Sequence, residues 1–183
     1  MYLYHINVGW PALDAGSEYV APIRRTLWMT DSVLEQRVSY RRLVPPHPNF
    51  VEQVYEHELA ADADGRVPLG VLNRALNEGR GFGVAVEWRR DQFPHAFEWQ
   101  NFAAGQYAIG LEPSTNHVMG RKLAREEGRL IMLAPGETRE YELSIGALDG
   151  AAELDAFAAR VRSIAPLLEA DVPTSTEHWG AHG

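Results

Sequence analysis

The feature that most constrains this chain is a period of two that recurs along most of its length. Phe82, Val84, Val86 and Trp88 alternate with Gly83, Ala85, Glu87 and Arg89. Successive side chains of a strand point to opposite faces, so this alternation buries one face and leaves the other more polar. The same period predicts strands over 2–8, 18–28, 50–61, 66–73, 96–102 and 106–112. A last pair, 129–134 and 138–148, is expected around Pro135-Gly136, and Asp62-Ala-Asp-Gly65 has hairpin-turn chemistry. Residues 29–49 read as a long loop and 74–81 as a turn. Helical spacing stands out in one place: Leu154, Phe157, Val161, Ile164 and Leu168 predict a helix from about 151 to 170, capped by Asp149 or Gly150. Many short strands with one terminal helix give an all-β class, a sandwich or a barrel.

At 183 residues the chain fits one domain, expected over 1–170, with a loose polar tail over 171–183. The net charge of −8 repels nucleic acid and anionic lipid, and the arginines are scattered, so neither is an expected partner. There is no cysteine, which removes disulfides, thiolate metal sites and Cys nucleophiles. No apolar run reaches membrane-spanning length and the N-terminus carries no signal-peptide core, so a cytoplasmic protein is expected. Phosphate loops, dinucleotide fingerprints and nucleophile elbows are missing, and Gly79-Arg-Gly-Phe-Gly83 precedes a strand, as a turn does.

Few residues remain that carry chemistry. Glu112 shares a strand face with Ala108 and Gly110, two small residues that leave space beside a carboxylate. It is either a solvated strand-end carboxylate or a ligand-facing base. Pro113 is expected to stop that strand. His5 and Asn7 share a face, where an imidazole exchanges protons near neutral pH and an amide orients a hydroxyl, or where both simply bond a neighbouring strand. Glu56-His57-Glu58 sets a His between two carboxylates, but adjacent strand residues diverge, so Glu56 and His57 do not converge on one ion. His5, His57 and Glu112 could still meet in space. Trp99 is the better aromatic for sugar stacking, while Trp88 reads as core. Arg89, Arg90 and Arg121 could hold a hydroxyl or an anion, or be solvated.

Three segments together resemble the galactose mutarotase-like (aldose 1-epimerase) superfamily, in its C-terminal part and its poorly characterised bacterial branch. Tyr4-His-Ile-Asn-Val-Gly-Trp-Pro-Ala-Leu13 is similar to the strand bearing that family's catalytic His. Gly110-Leu-Glu-Pro-Ser-Thr-Asn116 is similar to the strand end bearing its catalytic Glu. Leu133-Ala-Pro-Gly-Glu-Thr138 resembles its closing hairpin. The resemblance implies a β-sandwich, a supersandwich shortened at its N-terminus, and a reaction that interconverts sugar anomers without a cofactor. It implies His5 as general acid and Glu112 as general base, with Asn7, Glu56, His57, Trp99 and Arg121 binding a monosaccharide or modified sugar, and no metal. A half-sandwich would expose edges and apolar surface, so a homodimer is an expectation too. Two other functions stay open: a non-catalytic carbohydrate-binding sandwich or inactive fragment, and a cupin-like metal-dependent sugar isomerase built from His5, His57 and Glu112.

Overall fold

The computed structural model describes residues 1–28 and 38–172. Nine strands build two antiparallel sheets: β1 (Ile6–Val8), β2 (Glu18–Val20), β3 (Ile23–Trp28), β4 (Gln53–Leu59), β5 (Arg66–Asn73), β6 (Phe82–Arg89), β7 (His95–Asn101), β8 (Ala108–Ser114) and β9 (Leu143–Asp149). The larger sheet runs β1-β8-β7-β4-β3 and the smaller β2-β5-β6-β9. They pack face to face as a sandwich. The core between them holds Tyr19, Val67, Leu69, Val71, Val86 and Trp88 from the small sheet, and Tyr55, Leu59, Ile109 and Leu111 from the large one.

The expected strand over 18–28 is two strands in different sheets. Pro22 has no N–H for a ladder, and the chain crosses there from β2 to β3; Ala60 N donates to the Pro22 carbonyl at 2.8 Å. No strand forms over 129–134. The expected partner over 138–148 does form, as β9, but it pairs with β6, with Phe82 opposite Asp149 and Trp88 opposite Leu143. Met132 and Leu133 are left exposed, although the turn at Pro135-Gly136 does form, with Glu137 N donating to the Ala134 carbonyl. Residues 74–81 reverse the chain, but they include a four-residue helical stretch, Leu76–Gly79, in which Asn77 and Glu78 take left-handed φ alongside Gly79 and Gly81.

Two helices follow: α1 (Arg121–Glu126), which the periodicity did not reveal, and α2 (Ala151–Ile164). Gly150 is the N-cap of α2, as expected. The helix stops at Ile164 rather than 170 because Pro166 forces Ala165 into an extended conformation, φ −146° and ψ 137°. Most of the expected tail, residues 173–183, lies outside the described residues.

The position of α2 decides where a site can be. Gly70 and Gly83 let it lie close on the outer face of the small sheet. A Cβ at Gly83 would come within 2.9 Å of Leu154, and one at Gly70 within 2.9 Å of Phe157. Leu154, Ala158 and Val161 bury Val20 and Leu72 there, and Arg160 pairs with Asp62 and Glu87. The small sheet is thus covered on both faces. The outer face of the large sheet carries the polar side chains. Among the described residues no helix is long and apolar enough to cross a membrane.

Candidate functional site

Strand register places the chemistry. Asn7 pairs with Gly110, Glu112 with Phe97, and Phe97 with Glu56. Residues directly opposite in an antiparallel pair point to the same face. Asn7, Gly110, Glu112, Phe97, Trp99 and Glu56 therefore share the outer face. His5, just before β1, comes opposite Glu112, its Nε2 3.0 Å from Oε1.

The two partners sit in different environments. The His5 side chain is 46% exposed and the Glu112 side chain 8%. Burial pushes the Glu112 carboxyl up to about 7, because the charged form loses hydration. Its Oε1 is buried and accepts no aligned hydrogen bond, although it lies beside the imidazole. The space around it is made by Gly110: a Cβ there would fall 2.5 Å from Glu112 Oε1 and 3.2 Å from both His5 Cε1 and Trp99 Cβ. The small neighbour noted in the sequence is thus the gap the carboxyl occupies. Pro113 does not end the strand. β8 continues to Ser114, and the Pro113 carbonyl accepts from Tyr4 N at 3.1 Å, which ties the His5 segment to β8.

Trp99 flanks the pair. Its ring stands edge-on to His5, with centroids 5.4 Å apart, and its Nε1 donates to Glu52 Oε2 at 2.9 Å. Asn7 is exposed on the same face, one strand from Gly110. His5, Asn7, Glu112 and Trp99 are thus brought together. Arg121 is exposed at the start of α1, and Arg89 is engaged by Asp91.

His57 is elsewhere, which corrects its assignment as a sugar ligand. It faces the core, and its side chain has no exposure. Thr26 Oγ1 and His57 Nδ1 lie 2.9 Å apart, and His57 Nε2 is 3.0 Å from Glu98 Oε2. Gln100 Nε2 donates to Glu98 Oε1 at 2.6 Å. Burial holds His57 down, at about 3, and pushes the Glu98 carboxyl well up, so this pair is neutral. The alternation of β4 puts His57 on the side of the sheet opposite Glu112. The set His5, His57 and Glu112 cannot converge, and the cupin-like site falls with it.

Glu56 is on the correct face but its side chain is buried, so it is not an exposed sugar ligand, a second correction. It is 2% exposed, and its Oε1 lies 2.6 Å from His117 Nδ1 and 3.0 Å from His95 Nδ1. Neither histidine was singled out from the sequence. His95 was visible in principle, at period two from Phe97 and Trp99. His117 follows the strand end, where no periodicity places it.

Comparisons with known proteins bear on the family and the fold. The model of a family described as a domain of unknown function, DUF4432, matches residues 1–147. A crystal structure of a "putative aldose 1-epimerase" from Klebsiella pneumoniae subsp. pneumoniae MGH 78578 superposes with a TM-score of 0.80 at 24% identity. The match covers 96% of this chain and 46% of that one, so this chain spans about half the length of its structural neighbour. No curated protein matches the chain. The shared fold is the two-sheet β-sandwich expected from the sequence.

Proposed function

For this chain, which belongs to the DUF4432 family and has an aldose 1-epimerase-like fold, we propose acid–base interconversion of sugar anomers at His5 and Glu112. One observation carries the reading: a buried carboxyl without an aligned hydrogen bond lies 3.0 Å from an exposed imidazole, on the open face of the large sheet. A carboxyl near pKa 7 is a competent base at neutral pH, being present partly as carboxylate and taking up a proton readily.

The reaction needs two proton transfers. Glu112 takes the proton of the anomeric hydroxyl. The protonated His5 imidazole gives one to the ring oxygen as the bond from the anomeric carbon to that oxygen breaks. The carbonyl carbon of the open-chain aldose then rotates, and the ring recloses on its other face. Reclosure returns each proton to its donor, so no cofactor is consumed. Trp99 gives a flat apolar surface to the sugar ring, and Asn7 a side-chain amide to its hydroxyls.

The test is saturation-transfer proton NMR of anomer exchange on aldoses and uronic acids, with Glu112→Gln as control. Exchange that disappears in the control supports the reading. Exchange that persists in Glu112→Gln, or no exchange in a folded protein, overturns it. A folded protein that holds a sugar without exchanging it is a carbohydrate-binding module.

A further inference from the structure

We propose that Glu56, His95 and His117 form a binding site for one divalent first-row transition ion, of which zinc is the best fit. The three residues come from separate segments. Glu56 lies on β4, His95 opens β7, and His117 follows β8. One potential donor atom from each lies within 4.8 Å of the other two. The imidazole centroids are 3.9 Å apart. Two neutral imidazoles and a carboxylate are a donor set that suits zinc, and also cobalt, nickel or ferrous iron.

The second observation is the other carboxylate oxygen. Glu56 Oε2 is buried and has no hydrogen-bond partner, while Oε1 alone serves both histidines. An acceptor left empty in a side chain 2% exposed costs free energy unless something binds it. A cation supplies that partner. Ligand atoms about 2.1 Å from a tetrahedral zinc lie about 3.4 Å from one another. His95 Nδ1, now 3.0 Å from Oε1, needs a shift of a few tenths of an ångström. His117, now at 2.6 Å, needs somewhat more, or an exchange of Oε1 for Oε2.

Hydrogen bonds frame the site. Ser114 Oγ donates to the Asn116 carbonyl at 2.7 Å, and Asn116 Nδ2 donates to the His117 carbonyl at 2.6 Å. Ser114 itself pairs with His95 across the strands. The same turn therefore holds both histidines in register over Glu56. Three protein ligands leave the fourth position to water or a ligand oxygen. Glu56 and Glu112 share the outer face two strand spacings apart, about 10 Å. An oxygen on the ion and a sugar at Glu112 would therefore belong to one surface.

The experiment uses the chelator-stripped 183-residue chain and the metal alone, so it is independent of the sugar chemistry above. Cobalt(II) is followed by visible absorption and zinc by calorimetry. The expected result is one ion per chain, with the ligand-field bands of a four- or five-coordinate N₂O site. His95→Gln and His117→Gln should each weaken binding about 100-fold or more, and His5→Gln should leave it unchanged. Melting curves establish that each variant is folded. His95, the more exposed of the two histidines, decides the matter if His117→Gln does not fold. No binding at about 1 mM metal, full binding in folded His95→Gln, or equal loss in His5→Gln overturns the proposal. Failed titration leaves the anomer-exchange reading standing, and failed exchange leaves the ion site standing.

Discussion

Two His–Glu pairs sit on opposite faces of one sheet with the same 3.0 Å between nitrogen and oxygen: His57–Glu98 toward the core and His5–Glu112 toward the outside. Distance does not distinguish them. Water does. The inner pair has no exposure, and Thr26 and Gln100 complete its hydrogen bonding. Its proton has nowhere to go, so the pair is part of the packing. The outer pair joins a buried carboxyl to an imidazole that is 46% exposed. There the proton has a route to solvent or substrate. A residue pair becomes chemistry when one partner is desolvated enough to be reactive and the other stays wet enough to exchange.

The largest effect that would break this contrast is on rate. Glu112→Gln should lower anomer exchange by about 10³-fold, within the range for losing a general base, with little loss of fold. Comparable exchange in the variant would place the outer pair alongside the inner one as structure. The inner pair should answer in stability instead. His57→Ala strands a buried carboxyl and leaves a void, which costs about 3 kcal/mol in urea unfolding. A loss below about 0.5 kcal/mol would mean that the inner pair contributes nothing to the packing.

Gly110→Ala sharpens the comparison, because it crowds the outer pair and the neighbouring Trp99 and leaves the inner pair alone. The added Cβ occupies space held by the flexible end of Glu112, so the carboxyl moves rather than the backbone. Exchange should fall about 10- to 100-fold with a melting temperature near that of the native chain. Equal activity would show that the position of the carboxyl is not critical.

The smallest effect is in pH. The folded Glu112 carboxyl titrates at about 7 and the unfolded one near its ordinary value of 4.5. Its proton is held more tightly in the native state, so the contribution is fully present below about 4.5 and is lost as pH rises through about 7. Glu98 acts in the same direction. His57 acts in the opposite one: held down, at about 3, it remains neutral in the fold but takes a proton below about 6.5 when unfolded, so its contribution is lost as pH falls. The melting temperature should therefore peak in mildly acidic solution, between about pH 4.5 and 6.5. Glu98→Gln, which mimics the neutral acid, should soften the decline on the alkaline side. Exchange should run the other way and rise through pH 7 as Glu112 loses its proton. A melting temperature still rising from pH 6 to 8 would contradict these assignments.

By itself, the sequence determined the all-β strand pattern, and its resemblance to a known family singled out His5 and Glu112. Period-two alternation is written residue by residue, and it gave β4 through β8 nearly to their ends. Gly110 and Ala108 beside Glu112 signalled the space around the carboxyl. His5 and Asn7 alternated onto one face, and the tertiary fold puts both beside β8. Tertiary structure decided everything that depends on which strand lies next to which. The spacing of Glu56-His57-Glu58 is the same whichever side faces the core. Packing of the small sheet against Tyr55 and Leu59 turned His57 inward and Glu56 outward. The expected strand over 138–148 found its partner in β6 rather than in 129–134. His95 and His117, 22 residues apart in the chain, met over Glu56 only because β7 lies between β4 and β8. Local periodicity encodes the direction of a side chain, whereas convergence of side chains from different strands is set by long-range register, which no short stretch of sequence contains.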